Sequence, residues 1–354
     1  MSLKENTYFL GLGCAGGKLH KEFISRGYKG AAVNGSEQDL KALGDVPTKF
    51  KLEGFDGFGG YRDRAMDCLA ANEELMEFVA GIKEQVVFLL FGGGGSTGSG
   101  CATILAELLL EQQDKIVCPV IALPSAGESI IKHKNAYQAV AELQDLTDLG
   151  ATFFLNNEIS EDYDYINGTF AKMLDMFLSN NSYGEANNFD ESERLEMLKD
   201  NGAAVLSMFG AGKSPELMIE KLTKSGIFAP VEGDKVCENI GVIHSGRNNQ
   251  DITAGEIVNE LGKPQNVFEG YNGKATLIAA SGLSFPVTHV GKIGELAQKA
   301  YEERQRNKRQ VSGKKLGDLS FVETAQMKPV ADQTVPKKLS KLEILKRRRF
   351  ETEQ

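Results

Sequence analysis

The stretch FLLFGGGGSTGSG, Phe88 to Gly100, sets six glycines, two serines and a threonine directly behind an apolar run. Ordering glycine costs more backbone freedom than ordering any other residue. A cluster this dense between regular elements therefore implies a use. The run 86–91 has the length and content of a buried strand, and a helical pattern follows over 99–112. A glycine turn between such elements brings bare N–H groups to a helix start, where they can receive an anion such as phosphate. A second loop, GLGCAGGKL from Gly11 to Leu19, also follows a strand and opens a helix. It reads G-x-G-x-x-G at Gly11, Gly13 and Gly16, which alone would suggest a dinucleotide site. Two glycine loops on one sheet do not suit that reading. Nor does the strand after the first loop, which ends at Asn34 rather than at a carboxylate. A Walker loop is absent, since Lys18 is followed by Leu19.

The first half of the chain alternates. Strand-like runs at 8–12, 31–33, 117–123 and 151–155 separate helical patterns at 15–26, 62–81 and 129–147. Such alternation predicts a parallel sheet covered on both faces, with ligands at the carboxyl ends of its strands. A longer helical pattern over 163–179 puts Phe170, Leu174 and Phe177 on one face. Further strands are expected at 203–209, 240–244 and 275–280. A last helix is expected over 288–309, apolar at Val290, Ile293, Leu296 and Ala297. The expected fold class is α/β: a parallel-sheet, Rossmann-like domain (1–162) joined by a long central helix (163–184) to a smaller α/β domain (185–286). A C-terminal helix (287–312) and a flexible basic tail (313–354) would follow.

The 354 residues suffice for such a plan, and 41% hydrophobic with 25% charged residues is ordinary for a globular protein. Five scattered cysteines, no secretory pattern and no long apolar run predict a cytoplasmic protein with reduced thiols. The four histidines are far apart, so no metal site is expected. Charge is segregated. From Arg304 onward there are 14 Lys/Arg against 6 Asp/Glu, a balance of +8 that leaves the preceding 303 residues at −17 of the net −9.

GGGGSTGSG resembles the G-G-G-T-G-[ST]-G loop of the tubulin and FtsZ family of GTPases, and GLGCAGGKL resembles that family's first phosphate loop. The resemblance runs from about Tyr8 to Arg304. It includes AAVNGSEQDL (31–40), GFGGYRDRA (57–65), LPSAGES (123–129) and FLNNEIS (154–160). It implies that GTP or GDP, with a Mg²⁺ ion, is held by Gly13, Cys14, Ala15, Gly16 and Lys18 of the first loop and Asn34 of the second. Gly59 and Gly60 of the third loop would sense the γ-phosphate. Gly94, Gly95, Ser96, Thr97, Gly98 and Ser99 would cradle the phosphates, Pro124 and Glu128 would meet the ribose, and Asn157 the guanine. NFDESE resembles the family's catalytic loop and gives Asn188, Asp190 and Glu193. Counting back from Glu193 reaches Tyr163 and Asn167, at positions where a ring stacks on guanine and an amide pairs with its edge. Residues four apart share a helical face in any case.

The plain structural alternatives are that Tyr163 caps its helix, that Asn167 is merely exposed, and that Asp190 and Glu193 are charges favoured at a helix N-terminus. Cys14 is expected to fill space beside the nucleotide, and Lys132 is a further candidate for a phosphate or ribose contact. Ser96 departs from the family pattern, which has glycine there. If that position needs a positive φ, serine is strained.

The resemblance implies a GTPase completed by two subunits. One copy binds GTP, and the next in a head-to-tail filament inserts Asp190 and Glu193. The chain resembles most the phage and plasmid partition branch, the TubZ-like proteins, through its length, its Ser96 and its basic tail. That branch implies that residues 316–354 dock on a DNA-bound adaptor. KKLSKLEILKRRRF (337–350) joins leucines at helical spacing to a basic cluster. Direct DNA contact is a lesser alternative, a solvated end is the bland one, and membrane attachment is not expected. The alternatives for the whole chain are a cell-division or other cytoskeletal filament, a dinucleotide-dependent oxidoreductase and a non-hydrolysing nucleotide-binding module.

Overall fold

The computed structural model describes residues 2–179, 189–210, 212–246 and 251–313. Asn188 and the basic tail from residue 314 lie outside them. β1 (Thr7–Leu12) runs into α1 (Gly13–Ile24) and β2 (Lys29–Asn34) leads to α2 (Glu37–Ala42). The short β3 (Lys49–Lys51) precedes α3 (Arg62–Ala71) and α4 (Glu73–Ala80). β4 (Val86–Gly92), α5 (Ser96–Leu110), β5 (Ile116–Leu123), α6 (Ile130–Gln144) and β6 (Ala151–Asn156) follow. A 3₁₀ turn, Asn157–Ile159, leads to the central helix α7 (Tyr163–Ser179). The second half comprises α8 (Glu191–Lys199), β7 (Gly202–Phe209), α9 (Pro215–Thr223), β8 (Asn239–Ile243) and α10 (Ala254–Leu261). It ends with β9 (Asn266–Gly270), β10 (Thr276–Leu283) and α11 (Val287–Gly313).

The strands form one sheet of ten in the order β3-β2-β1-β4-β5-β6-β7-β10-β8-β9. β1 to β6 are parallel, and β1 and β4 pair at its centre. β1 is buried along its whole length and β4 along all but its last residue, which is why both read as unbroken apolar runs. β7 joins β6 through Ala151–Gly202 and Thr152–Ala203, after which β10 runs antiparallel to both its neighbours. The sheet is continuous, but this seam is narrow.

α7 bridges the two halves. Its Phe170 ring lies 6.1 Å from Phe23 of α1, 5.5 Å from Phe153 of β6 and 6.0 Å from Phe228 of the second half. Leu174 and Phe177 are buried on the same face. Each such side chain contributes roughly 1.5–3 kcal/mol by leaving water, so α7 acts as a spine rather than as a linker.

Several elements differ from the sequence-based expectation. The pattern over 62–81 forms two helices, because Asn72 leaves helical geometry (φ −99°, ψ 76°). Its amide donates to Cys68 O at 2.6 Å and accepts from Glu53 N, a local alternative to continuing the helix. α5 begins at Ser96, three residues earlier than expected, and Ser96 has no positive φ. The strain anticipated there does not exist. Leu296 is exposed, whereas Val290, Ile293 and Ala297 are buried as expected.

Candidate functional site

Because β1 and β4 are parallel neighbours, the loops they feed open side by side at the carboxyl edge of the sheet. Gly13 has φ +73°, and a Cβ there would stand 3.2 Å from Gly98 N and 3.3 Å from Thr97 Cβ. The two loops thus meet backbone to backbone. α1 and α5 both start here, and α6 starts at the rim. None of the three has a side-chain cap, and none has an acidic residue in its first turn. Neither their caps nor their first turns supply an anion to these N–H groups and positive dipole ends.

These ends surround a cleft of about 470 Å³, within the size range of small-molecule sites. Its wall includes Gly13, Cys14, Ala15 and Lys18 of α1, and Asn34 at the end of β2. It also includes Gly94, Gly95, Ser96, Thr97 and Gly98 at the start of α5, and Pro124, Glu128, Asn157, Tyr163 and Asn167 around the mouth. Four expected residues are not on the wall. Gly16 lies beneath it, where a Cβ would meet Leu90 O at 2.0 Å, so glycine there permits α1 to pack on β4. Ser99 is fully buried, and its hydroxyl donates to Gly95 O. Gly59 and Gly60 turn the third loop with φ of +59° and +85°, and Gly57 and Phe58 reach the wall instead.

The sequence reading did not single out Ser36 and Asp39, which also line the cleft. Ser36 caps α2 by accepting from Asp39 N, and Asn34 donates to the Asp39 carboxylate at 3.1 Å. The S-x-x-D spacing that precedes α2 is the signal that could have found them. At the mouth, Glu128 pairs with Lys132 and accepts a hydrogen bond from the Tyr163 hydroxyl at 3.4 Å. This links α6 to α7 across the opening. Cys14 is exposed, and desolvation, then the charge of Asp39, hold its thiol above the ordinary value. That suits a space-filler better than a nucleophile.

Asp190 and Glu193 do not line the cleft of their own chain. Asp190 caps α8, accepting from Ser192 N at 2.8 Å, and Glu193 accepts from Asp190 N at 3.0 Å. A hydrogen bond between the two carboxyls holds Asp190 down to about 2 and pushes Glu193 up. Asp190 is the stronger acid of the two. The next residue, Arg194, is buried and donates to Phe177 O and Phe189 O, which fixes the helix start against α7. Among the described residues no three His, Cys, Asp or Glu could together hold a metal ion. No described helix is long and apolar enough to cross a membrane.

The sheet order, the paired glycine loops and the central helix define a tubulin-like class. Residues 8–164 match the family described as Tubulin/FtsZ family, GTPase domain. Among its relatives is the tubulin-like protein TubZ of Clostridium botulinum C phage, 26% identical over 324 residues that span 88% of this chain and 87% of the relative. The crystal structure of Clostridium botulinum phage c-st TubZ superposes with a TM-score of 0.74 at 23% identity, covering 85% of this chain and 99% of that one. A GTPγS-form protofilament of Bacillus thuringiensis serovar israelensis TubZ superposes with a TM-score of 0.71 at 15% identity, covering 88% and 94%.

Proposed function

We propose that the cleft binds GTP and that the chain hydrolyses it on assembling head to tail. The observation that carries this reading is the convergence of three uncapped, acid-free helix starts on one cleft of nucleotide size. A polyphosphate supplies the anion those ends lack. Amides of the Gly13–Ala15 and Gly94–Gly98 stretches would hold it, with Lys18 and Lys132 as the lining cations. Gly57–Gly60 and Asn34 would flank its terminal phosphate. Pro124 and Glu128 would meet the ribose, and Tyr163, Asn167 and Asn157 the base. A Mg²⁺ ion brought with the phosphates would neutralise charge as the terminal phosphoryl group leaves. No residue of the chain is assigned to it, and phosphate oxygens and water would hold it.

In this reading residues 1–162 are the GTPase domain, 185–286 the activating domain and 163–184 the helix between them. Asp190 and Glu193 lie off the wall of their own cleft and would serve the next copy. An ionised Asp190 would orient the attacking water, with the Glu193 carboxyl beside it. Hydrolysis is then coupled to assembly, because a lone copy holds only half of the reaction centre. The heterologous contact does not close on itself, so it builds a filament. The protofilament of Bacillus thuringiensis TubZ lends support. Glu193→Ala should keep GTP-dependent polymers, seen by light scattering, and lose turnover by at least about 100-fold. Normal turnover would remove the shared site.

The finer reading is that this filament partitions phage or plasmid DNA in a bacterial cytoplasm, recruiting a DNA-bound adaptor through residues 316–354. The charge segregation and the phage relative support it. Deleting 316–354 should leave turnover within about twofold and abolish co-sedimentation of the DNA complex. Co-sedimentation that survives the deletion would end this part of the reading.

A further inference from the structure

α6 fastens the loops that build the cleft. Asn135 is only 3% exposed, and its Nδ2 donates to Gly60 O at 3.0 Å and to Gly94 O at 3.2 Å. An amide nitrogen carries two hydrogens, and both are used. The two carbonyls belong to different loops, one between β3 and α3, the other between β4 and α5. α6 lies flush on both. A Cβ on Gly94 would stand 2.9 Å from Lys132 Cβ, and one on Gly60 3.3 Å from Ile131 Cδ1. Two turns further on, Glu142 pairs with both terminal nitrogens of Arg62, the first residue of α3. The same guanidinium donates through Nε to Ser99 O of α5 at 3.1 Å. The third loop thus hangs between a neutral tie at Gly60 and a charged one at Arg62.

We propose that Asn135 is the positioning residue that keeps loop 57–60 in register with loop 94–98, so that the terminal phosphate and the phosphates before it are gripped as one unit. This rests on the reading that the cleft binds GTP. Gly57 and Phe58 reach the cleft wall, whereas Gly60 is the residue tied down. Gly57 N donates to Gly35 O at 2.9 Å and the Phe58 ring packs on Gly35, so the front of the loop is held to the end of β2, and the Asn135 tie at Gly60 is what joins its back to loop 94–98. Only a donor serves at position 135. An aspartate of the same shape would turn a carboxylate onto two carbonyl oxygens. Losing the tie should cost a triphosphate more than a diphosphate, because a diphosphate makes no demand on the third loop. A purely architectural amide would instead change both affinities alike.

The test uses the full-length protein, titrated calorimetrically with GTPγS and with GDP, as wild type, Asn135→Asp and Asn135→Ala. In the variants the preference for GTPγS over GDP should fall about tenfold or more, while GDP affinity stays within about threefold. Hydrogen exchange gives a second readout. GTPγS, but not GDP, should protect the amides of residues 57–61 in the wild type, and this protection should vanish in the variants. Equal losses for both nucleotides, or an unchanged preference, would overturn the proposal. Should neither variant fold, wild-type protection by GTPγS no greater than by GDP would overturn it. A wild type that binds neither nucleotide refutes the functional reading itself, a result distinct from equal losses in the variants.

Discussion

The two halves of the molecule finish their helix starts differently. In the second half α8, α9 and α10 are each capped by a side chain, from Asp190, Ser214 and Thr253, and each carries an acid in its first turn. At the cleft α1, α5 and α6 have neither. α2 is capped by Ser36, although its Asp39 also reaches the cleft wall. A capped end has its N–H groups and dipole satisfied within the chain and has little left for an external anion. An open end forgoes up to about 1 kcal/mol of that stabilisation and keeps the capacity to bind. The difference shows where the sequence has withheld local stability in favour of a ligand.

The comparison breaks most sharply if an open end is closed. Gly95 is the N-cap of α5, with φ −75° and ψ 152°, a conformation any residue adopts. A Cβ there meets nothing nearer than Gly92 O at 3.6 Å. Gly95→Asp should therefore fold, gain a few tenths of a kcal/mol from its new cap, and melt about 1 °C higher. Its carboxylate would stand beside the phosphates, where like charges about 4 Å apart repel by roughly 4 kcal/mol at an effective dielectric near 20. GTP affinity measured by calorimetry should drop by at least about 100-fold. Unchanged affinity would mean that the start of α5 holds no anion. Mixing this variant with Glu193→Ala sharpens the point. Each supplies what the other lacks, so turnover should partly return if the site is shared.

A smaller effect separates the halves by pH. His20 on α1 is fully buried between Gly11 and Gly30, with no partner for either ring nitrogen among the described residues. Burial pulls its pKa down from 6.5 to about 4. The unfolded chain takes up this proton near pH 6.5 and the folded chain only near 4. Stability is thus complete above 6.5 and is lost progressively as pH falls to about 4, by up to about 3 kcal/mol. Over that window Asp190, held down to about 2, stays ionised. Urea unfolding between pH 7.5 and 4.5 should show this slope, and His20→Leu should flatten it. A slope unchanged in His20→Leu would place the acid sensitivity elsewhere.

Legibility in the sequence followed range. The glycine loops, the buried strands and the Tyr163–Asn167 face were readable because each is a local pattern of composition or spacing. The break at Asn72 was not, because an amide can stay exposed on a helix or turn back to a carbonyl, and only the packed surroundings decide. The edge strands β3 and β9 are short and lack fully buried runs, so neither has the contrast that marks β4. The relaxed backbone of Ser96 was not legible either, because a family glycine at that position says nothing of the helix that begins there. Asn135 left no trace at all. Its two partners stand 75 and 41 residues away, and nothing in KHKNAYQ names them.

The smallest expected effect checks the closed ends. Thr253 and Glu256 form a reciprocal box at the start of α10: Thr253 N donates to the Glu256 carboxylate at 2.8 Å, and the Thr253 hydroxyl accepts from Glu256 N at 3.4 Å. Thr253→Ala removes the side-chain acceptor and leaves that N–H only its bond to Thr253 O at 3.2 Å, which should cost about 1 kcal/mol and lower the melting temperature by about 2–4 °C. Nucleotide affinity should stay within about twofold, because α10 contributes nothing to the cleft wall. Calorimetry on the variant decides between two pictures of the narrow seam at Ala151–Gly202. If affinity holds, the cap is a local stabiliser and the halves bind and fold as separable units. If affinity falls along with the cap, strain passes from β8 and β10 through β7 into β6, and the division between open and closed ends would have to give way to one coupled network.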